Sequence, residues 1–141
     1  MKYFSDFQIG ETIVTKGRTI TESDIVLFAA FSGDWHQLHT NVEYAEKGPF
    51  GERIAHGFLV LCVASGLMPL EQMAIVAFYG MDQVRFVGPT KIGDTIRVEM
   101  EVSEREERKG GTGLVSFRSV IKNQRDDNLV VLDMKILLAG E

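Results

Sequence analysis

The second half of the chain alternates apolar and polar residues, and this pattern limits the fold more than any other feature. Ile96, Val98, Met100 and Val102 are each separated by a polar residue, and the segments 115–121 and 130–138 continue the alternation. A period of two is typical of strands that bury one face. The segments 109–113 and 125–128 between them are rich in glycine, aspartate and asparagine, which favour turns. The pattern therefore predicts consecutive antiparallel strands.

A second constraint is the segment 56–68, which is apolar on nearly every face of a helix. Such a helix must be covered on all sides, and Pro69 is consistent with its end. A sheet has one face to bury, and it covers such a helix best by curling around it. With further strands expected at 11–20 and 73–87, the sequence predicts an α+β fold: an antiparallel sheet of about five strands wrapped around a buried central helix.

An earlier helix is indicated by its end signals. Thr21 and Asp24 have the spacing of a capping box, the run 25–31 is apolar, and Gly33 fits a C-terminal stop. The following segment, 34–55, is polar and irregular, with a short helical turn expected at 42–46. A loop of this length inside a compact domain is often functional.

Composition narrows the class of protein. A chain of 141 residues fits one domain, residues 1–141. The formal net charge of −5, without a basic stripe, argues against nucleic acid as a partner. The single cysteine, Cys62, is interpreted as a small buried hydrophobe. Residues 1–10 do not resemble a signal peptide, and the apolar run 58–70 is too short to span a bilayer, so we expect a cytoplasmic protein without a membrane partner.

Asp34 and His39, in the loop after the first helix, are the best candidates for chemistry. A carboxylate accepts a proton, and an imidazole accepts or donates one near neutral pH. Together they could hold one water, with one group removing its proton and the other delivering a proton to a substrate. In a polar loop these residue types are more often solvated or capping groups, so their spacing alone leaves both interpretations open.

His56 and Gly57 open the central helix. The N–H groups of a helix start carry partial positive charge, and glycine permits close approach, which suits a carbonyl oxygen gaining negative charge. The alternatives are close helix–sheet packing for Gly57 and a capping or core role for His56. Ser65 either contacts the catalytic loop or bonds back to a carbonyl one turn earlier. We expect no metal site, because the histidines lack companion ligands at zinc spacing.

These residues together resemble the MaoC-like dehydratases, which include the R-specific enoyl-CoA hydratases (hydratase 2). The resemblance is carried by Ser-Gly-Asp-Trp-His-Gln-Leu-His at 32–39, Tyr-Ala at 44–45, Ala-His-Gly-Phe at 55–58, and the segments 85–89 and 92–94. It runs over nearly the whole chain. It implies the hotdog fold and a homodimer or higher homo-oligomer, with acyl-CoA bound at the subunit interface.

By position, the resemblance implies that Asp34 and His39 are the catalytic pair, that the Gly57 N–H polarises the thioester carbonyl, and that Ser65 supports the catalytic loop. The family motif reads roughly Gly-Asp-x-Asn-Pro-x-His, whereas this chain has His36-Gln37 in place of Asn-Pro. His36 could replace the hydrogen bond of the asparagine, or it could add a second titrating group.

The implied reaction is the interconversion of a trans-2-enoyl thioester and a 3-hydroxyacyl thioester, as in fatty acid metabolism. Coenzyme A is the handle of the substrate, and no other cofactor is expected. Two alternatives stay open. One is a hotdog acyl-CoA thioesterase, and the other is a non-catalytic subunit that binds acyl thioesters.

Overall fold

A computed structural model describes all 141 residues, and its framework is one antiparallel sheet. The strands are β1 (Thr12–Val14), β2 (Arg18–Thr19), β3 (Ile75–Phe86), β4 (Thr95–Glu107), β5 (Thr112–Lys122) and β6 (Asn128–Ala139). They are arranged in the order β1-β4-β5-β6-β3, and β2 also pairs with β4. The predicted antiparallel sheet is confirmed. It has six strands instead of about five, because the segment 11–20 forms two short strands.

The alternation of apolar and polar residues in the sequence corresponds to an alternation of buried and less buried residues in the central strands. Successive residues of β4, from Ile96 to Val102, are alternately buried and less buried. Pairing places apolar side chains beside each other, with Val98 opposite Ile121 and Val115 opposite Ile136. Such cross-strand neighbours stabilise the sheet. The core therefore lies on one face of β4, β5 and β6.

The helices are α1 (Glu22–Ser32), α2 (Gln37–Thr40), α3 (Val42–Glu46) and α4 (Gly57–Leu67). The predicted capping box of α1 is present: the Thr21 hydroxyl accepts from Asp24 N–H, and the Asp24 carboxylate accepts from Thr21 N–H. α1 ends at Gly33, whose φ of +79° is left-handed. None of these helices combines the length and the apolar character that crossing a membrane requires.

α4 buries one face only. Leu59, Val60 and Ala64 lie in the core, whereas Phe58 is 72% exposed and Cys62 is also exposed. The prediction of a helix buried all round is therefore wrong for the single chain, and so is the interpretation of Cys62 as a buried residue. An unbroken apolar run does not reveal which face of a helix packs on its own sheet and which face stays exposed.

Candidate active site

The loop that carries Asp34 starts at the end of α1. The Ser32 hydroxyl donates to the Phe28 carbonyl at 2.7 Å and accepts from Asp34 N–H at 3.1 Å. The Asp34 carboxylate is then held by its own loop, because Oδ1 accepts from His36 N–H at 3.1 Å. These bonds fix the direction of an exposed carboxylate and leave Oδ2 available to another ligand.

His36 is the N-cap of α2. Its Nδ1 accepts from Leu38 N–H at 3.1 Å, so this nitrogen carries no proton. The Thr40 hydroxyl donates back to the Trp35 carbonyl at 3.0 Å and closes the turn from the other side. Of the two possibilities for His36, the geometry supports the first: the imidazole supplies the acceptor that an asparagine would supply at a helix start.

His39 lies on α2, and its protonation state follows from its contacts. Nδ1 is 2.7 Å from the Ile54 carbonyl oxygen, which can only accept, so Nδ1 carries the proton and Nε2 carries the lone pair of the neutral ring. Burial lowers the pKa of His39 below its ordinary value, although the Ile54 carbonyl and the Asp34 carboxylate oppose this shift. His39 is therefore a neutral proton acceptor near pH 7.

Asp34 and His39 come together in the structure. A carboxylate oxygen of Asp34, a ring nitrogen of His39 and a ring nitrogen of His56 all lie within 4.8 Å of one another. A water that donates both of its O–H groups, in hydrogen bonds of about 2.8 Å, bridges two acceptors roughly 4.5 Å apart. The separation of the carboxylate and the imidazole therefore fits one shared water.

His56 is the third member of this cluster and is almost fully buried, with 1% of its surface exposed. Its ring stacks on that of His39, with centroids 3.9 Å apart and planes inclined by 30°. One nitrogen of each ring faces a backbone carbonyl, Nδ1 of His39 towards Ile54 and Nε2 of His56 towards Asp34, so each ring has one nitrogen left for another ligand. The three residues are therefore the natural candidates for a metal and for proton transfer.

Gly57, the first residue of α4, opens onto a cavity of about 290 Å³. His39, Phe58, Val60 and Phe86 also line this cavity. The N–H of a first helical residue has no acceptor inside the helix, and no loop or side-chain acceptor is bonded to it. The tip of α4 can therefore donate to a ligand in the cavity.

Gly57 also has a packing role. A methyl group at this position would lie 2.6 Å from Cε1 of Phe86. Both interpretations of Gly57 thus have support, the close packing and the accessible N–H.

The comparison with protein families decides the family. A model described as MaoC like domain matches residues 6–123. The chain belongs to the MaoC-like domain family.

Curated relatives are similar to this MaoC-like chain over about 70% of its length. Protein MaoC of Klebsiella aerogenes is 42% identical over 70% of this chain and 30% of its own length. The 3-hydroxybutyryl-CoA dehydratase of Methylorubrum extorquens is 35% identical over 72% of this chain and 64% of its own length. The (R)-specific enoyl-CoA hydratase of Rhodospirillum rubrum is 35% identical over 73% and 71%. The match thus spans less than two thirds of the first two relatives.

Solved structures confirm the hotdog fold. A monoamine oxidase regulatory protein from Archaeoglobus superposes with a TM-score of 0.93 at 38% identity, covering 99% of this chain and 95% of that one. The unliganded R-hydratase PhaJ1 of Pseudomonas aeruginosa gives 0.75 at 30% identity, over 99% and 86%. Rv0216 of Mycobacterium tuberculosis, described as a double hotdog fold, gives 0.87 at 22% identity, over 99% and 44%.

Ser65 is hydrogen-bonded within its own helix. Its hydroxyl donates to the Cys62 carbonyl at 2.7 Å, on the exposed side of α4. The alternative, a bond back into the same helix, is therefore what the MaoC-like chain shows. Ser65 does not support the loop of Asp34 in the single chain.

Two contributors to the site could not be identified from residue type. Ile54 acts through its backbone carbonyl, which no side-chain pattern reveals. Phe86 lies in the family segment 85–89, but only the folded MaoC-like chain shows its ring against Gly57. The stacking of His39 on His56 likewise joins two residues that are distant in sequence.

Proposed function

We propose that this MaoC-like chain adds water to a trans-2-enoyl thioester and removes water from the corresponding 3-hydroxyacyl thioester. One observation carries the proposal. A carboxylate and an imidazole lie within 4.8 Å of each other, and the same imidazole lines a cavity with the free N–H end of α4. Acid–base groups and a carbonyl-binding donor beside one cavity are the parts that this reaction needs.

The pair Asp34 and His39 orients the nucleophile. The carboxylate and the unprotonated Nε2 of His39 are both acceptors, so each takes one O–H of the same water, and the water's oxygen is left to attack the β-carbon. One of the two removes a proton as the new C–O bond forms. The same group then delivers this proton to the α-carbon, on the side where the C–O bond forms, so the addition is syn and the catalytic pair returns to its starting state. In the reverse direction the hydroxyl leaves as water.

Gly57 stabilises the electron pair that moves during the attack. As water adds to the β-carbon, the electrons of the double bond shift towards the thioester carbonyl, and negative charge builds up on its oxygen. A backbone N–H at a helix start is already oriented and carries partial positive charge, so it stabilises this enolate without reorganising. Because the addition changes no overall oxidation state, the proposed reaction needs no redox cofactor.

Relatives with these activities add independent support. A 3-hydroxybutyryl-CoA dehydratase and an (R)-specific enoyl-CoA hydratase are each 35% identical to the chain, and an R-hydratase shares its fold at 30% identity. The names of the first two refer to acyl-CoA, which is the substrate class we propose here. The reaction is proposed to take place in the cytoplasm as part of fatty acid metabolism.

We further propose a homodimer formed through β3. This strand lies at the edge of the sheet and pairs only with β6. Nearly all of its residues are exposed, among them Val76, Phe78 and Tyr79. A long apolar edge strand is a template for another chain. Pairing with β3 of a second copy would cover it and would bring Phe86, beside Gly57, close to the interface.

The direct test is an absorbance assay for loss of the conjugated double bond, with enoyl-CoAs of differing length and branching. Asp34→Asn and His39→Gln should each lower kcat by roughly 10²- to 10⁴-fold, the usual contribution of a positioned acid or base. Asp133→Asn, on the polar side of β6, is the matched carboxylate control and should keep the wild-type rate.

The other outcomes of this assay identify the alternatives. Release of free thiol with the double bond intact would indicate a thioesterase. Binding of acyl-CoA without turnover, unchanged in Asp34→Asn, would indicate a non-catalytic subunit. Wild-type hydration rates in either substituted protein would disprove the roles of Asp34 and His39.

A further inference from the structure

We infer that His56 is the positioning residue of the site, which holds the Asp34 loop by a hydrogen bond and the His39 ring by stacking. This inference rests on the proposed function for its catalytic consequence. The contacts that carry it are those of one almost fully buried side chain at the N-cap of α4.

The first contact fixes the loop. His56 Nε2 lies 3.0 Å from the backbone carbonyl oxygen of Asp34. A carbonyl only accepts, so Nε2 must carry the proton. Asp34 is otherwise exposed and is held within its own loop only by short-range bonds. The bond from His56 is therefore the one side-chain bond that ties the Asp34 backbone to α4.

The second contact fixes the orientation of the acid–base ring. The His39 ring has the bond from Nδ1 to Ile54 at one end and the flat face of His56 at 3.9 Å on one side. The Phe28 ring packs against His56, with centroids 4.8 Å apart, and keeps it in place. His39 therefore cannot tilt in that direction without displacing a buried side chain.

The third observation concerns the charge of His56. With the proton on Nε2, Nδ1 holds a lone pair, and this nitrogen is buried without any hydrogen-bond partner. Such an unsatisfied group is uncommon and calls for an explanation. A proton on Nδ1 would place a buried cation against His39 and would oppose the positive charge that His39 acquires when it takes a proton.

His56 also joins the two halves of the proposed mechanism. Its side chain holds Asp34 and His39, while the next residue in the chain is Gly57, whose N–H is the proposed donor to the thioester carbonyl. Catalytic groups must be held within about 0.5 Å of their productive positions. His56 therefore sets the distance between the proposed shared water and the thioester carbonyl that accepts from Gly57 N–H.

Two substitutions separate the two contacts. His56→Gln keeps an N–H donor near the position of Nε2 but removes the ring, whereas His56→Phe keeps a flat ring but removes the donor. In His56→Phe the Asp34 carbonyl loses its donor, and we expect kcat to fall roughly 10- to 100-fold with a small change in KM, as for a misplaced catalytic group. In His56→Gln we expect a smaller fall in kcat.

The titration of His39, followed by NMR of its ring protons, is the readout that a merely structural role would not change. His56→Gln should let water reach His39, so its pKa should rise towards the ordinary value, and the acidic limb of kcat/KM should rise with it. His56→Phe should leave the pKa of His39 low. An unchanged His39 titration in His56→Gln, or unchanged kcat in both variants, would overturn the inference.

A measurement on the unmodified protein keeps the inference testable if a variant does not fold. Nitrogen-15 NMR of the wild-type histidines should show the proton of His56 on Nε2 and that of His39 on Nδ1. A proton of His56 on Nδ1 would overturn the inference. This measurement needs no substrate, so its result is independent of whether the wild-type protein hydrates enoyl-CoA.

Discussion

The strands β4 to β6 and the loop from Asp34 to Gly57 are ordered by different forces. In the sheet, side chains such as Phe117, Ile121 and Ile136 are fully buried and hold their strands by apolar packing. In the loop, most residues are exposed, and order comes from side chains bonded to backbone, as His36 caps α2 and Asn41 caps α3. Burial stabilises one region, and local hydrogen bonds shape the other.

This difference separates stability from chemistry. Apolar burial contributes most of the free energy of folding but leaves no reactive group exposed. The loop contributes little burial, so it can present a carboxylate and a lone pair to a ligand. Substitutions in the sheet should therefore change stability at constant kcat, and substitutions in the loop should do the reverse.

The largest effect is expected from Phe117→Ala. Phe117 is 0% exposed and packs edge-on against Phe7, with ring centroids 5.6 Å apart. Removing a buried aromatic ring costs about 3–5 kcal/mol, and urea denaturation should show this loss. Because the site lies elsewhere, kcat per folded molecule should stay at the wild-type value.

Phe31→Ala is the matched control, since Phe31 is 90% exposed in the single chain. It should leave the free energy of unfolding within about 0.5 kcal/mol of wild type. Equal destabilisation by the two substitutions would contradict the assignment of β5 to the core.

The sequence predicts these two regions to different depths. The alternation in 96–138 predicts the sheet, because a buried face requires a period of two. The capping box of Thr21 and Asp24 and the stop at Gly33 predict α1, because their chemistry is local. α2 was not predicted, because four residues give no periodicity and the helix depends on the imidazole cap of His36.

Contacts between distant residues could not be predicted. The stacking of His56 on His39 requires the fold itself, since neither residue indicates the other. The run 73–87 contained a strand, but its apolar residues do not alternate, and therefore its exposure at the edge of the sheet was not evident. The exposed face of α4 was also missed, because a run that is apolar on nearly every face does not indicate which face is buried.

The second prediction concerns β3, the exposed strand at the edge of the sheet. Val76→Lys places a charge on the exposed edge of β3, where Val76 is 54% exposed. In a symmetric pair the two lysines would approach each other, and like charges at an interface cost several kcal/mol. Sedimentation velocity should show the dimer proposed above shift to monomer.

Val14→Lys is the control on the opposite edge strand, β1, where Val14 is 63% exposed. It should leave the sedimentation coefficient unchanged. Dissociation by Val14→Lys, but not by Val76→Lys, would show that the interface lies along β1 and would contradict the proposed interface along β3.

The third prediction tests the junction where the loop meets the sheet. In Gly57→Ala, the new methyl group would lie 2.6 Å from the Phe86 ring. Overpacking of this kind costs about 1–3 kcal/mol, and the narrowed cavity should also raise KM. Thermal unfolding and steady-state kinetics measure both effects, and Phe86→Leu in the same chain should restore part of each.

Gly66→Ala is the control in the same helix, where no atom lies within 4 Å of the added methyl group. Because alanine is the better helix former, we expect a gain of up to about 1 kcal/mol. If Gly57→Ala were as harmless as Gly66→Ala, the contact between Gly57 and Phe86 would not constrain the site.

The smallest effect is expected from pH. Burial lowers the pKa of His39 in the folded chain, whereas in the unfolded chain it is about 6.5. Above pH 6.5 the ring is neutral in both states, so its contribution to stability is fully present. As the pH falls below 6.5, the unfolded chain takes up the proton first, and stability is lost until the pH passes the folded pKa. His39→Gln should lack this loss of stability, and denaturation of both proteins at pH 7.5 and pH 5 measures the difference.

The lowered pKa also keeps Nε2 of His39 unprotonated in the folded chain, so kcat/KM should remain high below pH 6.5. An acidic limb centred above pH 6.5 would mean that the Ile54 carbonyl and the Asp34 carboxylate, which raise the pKa of His39, outweigh its burial.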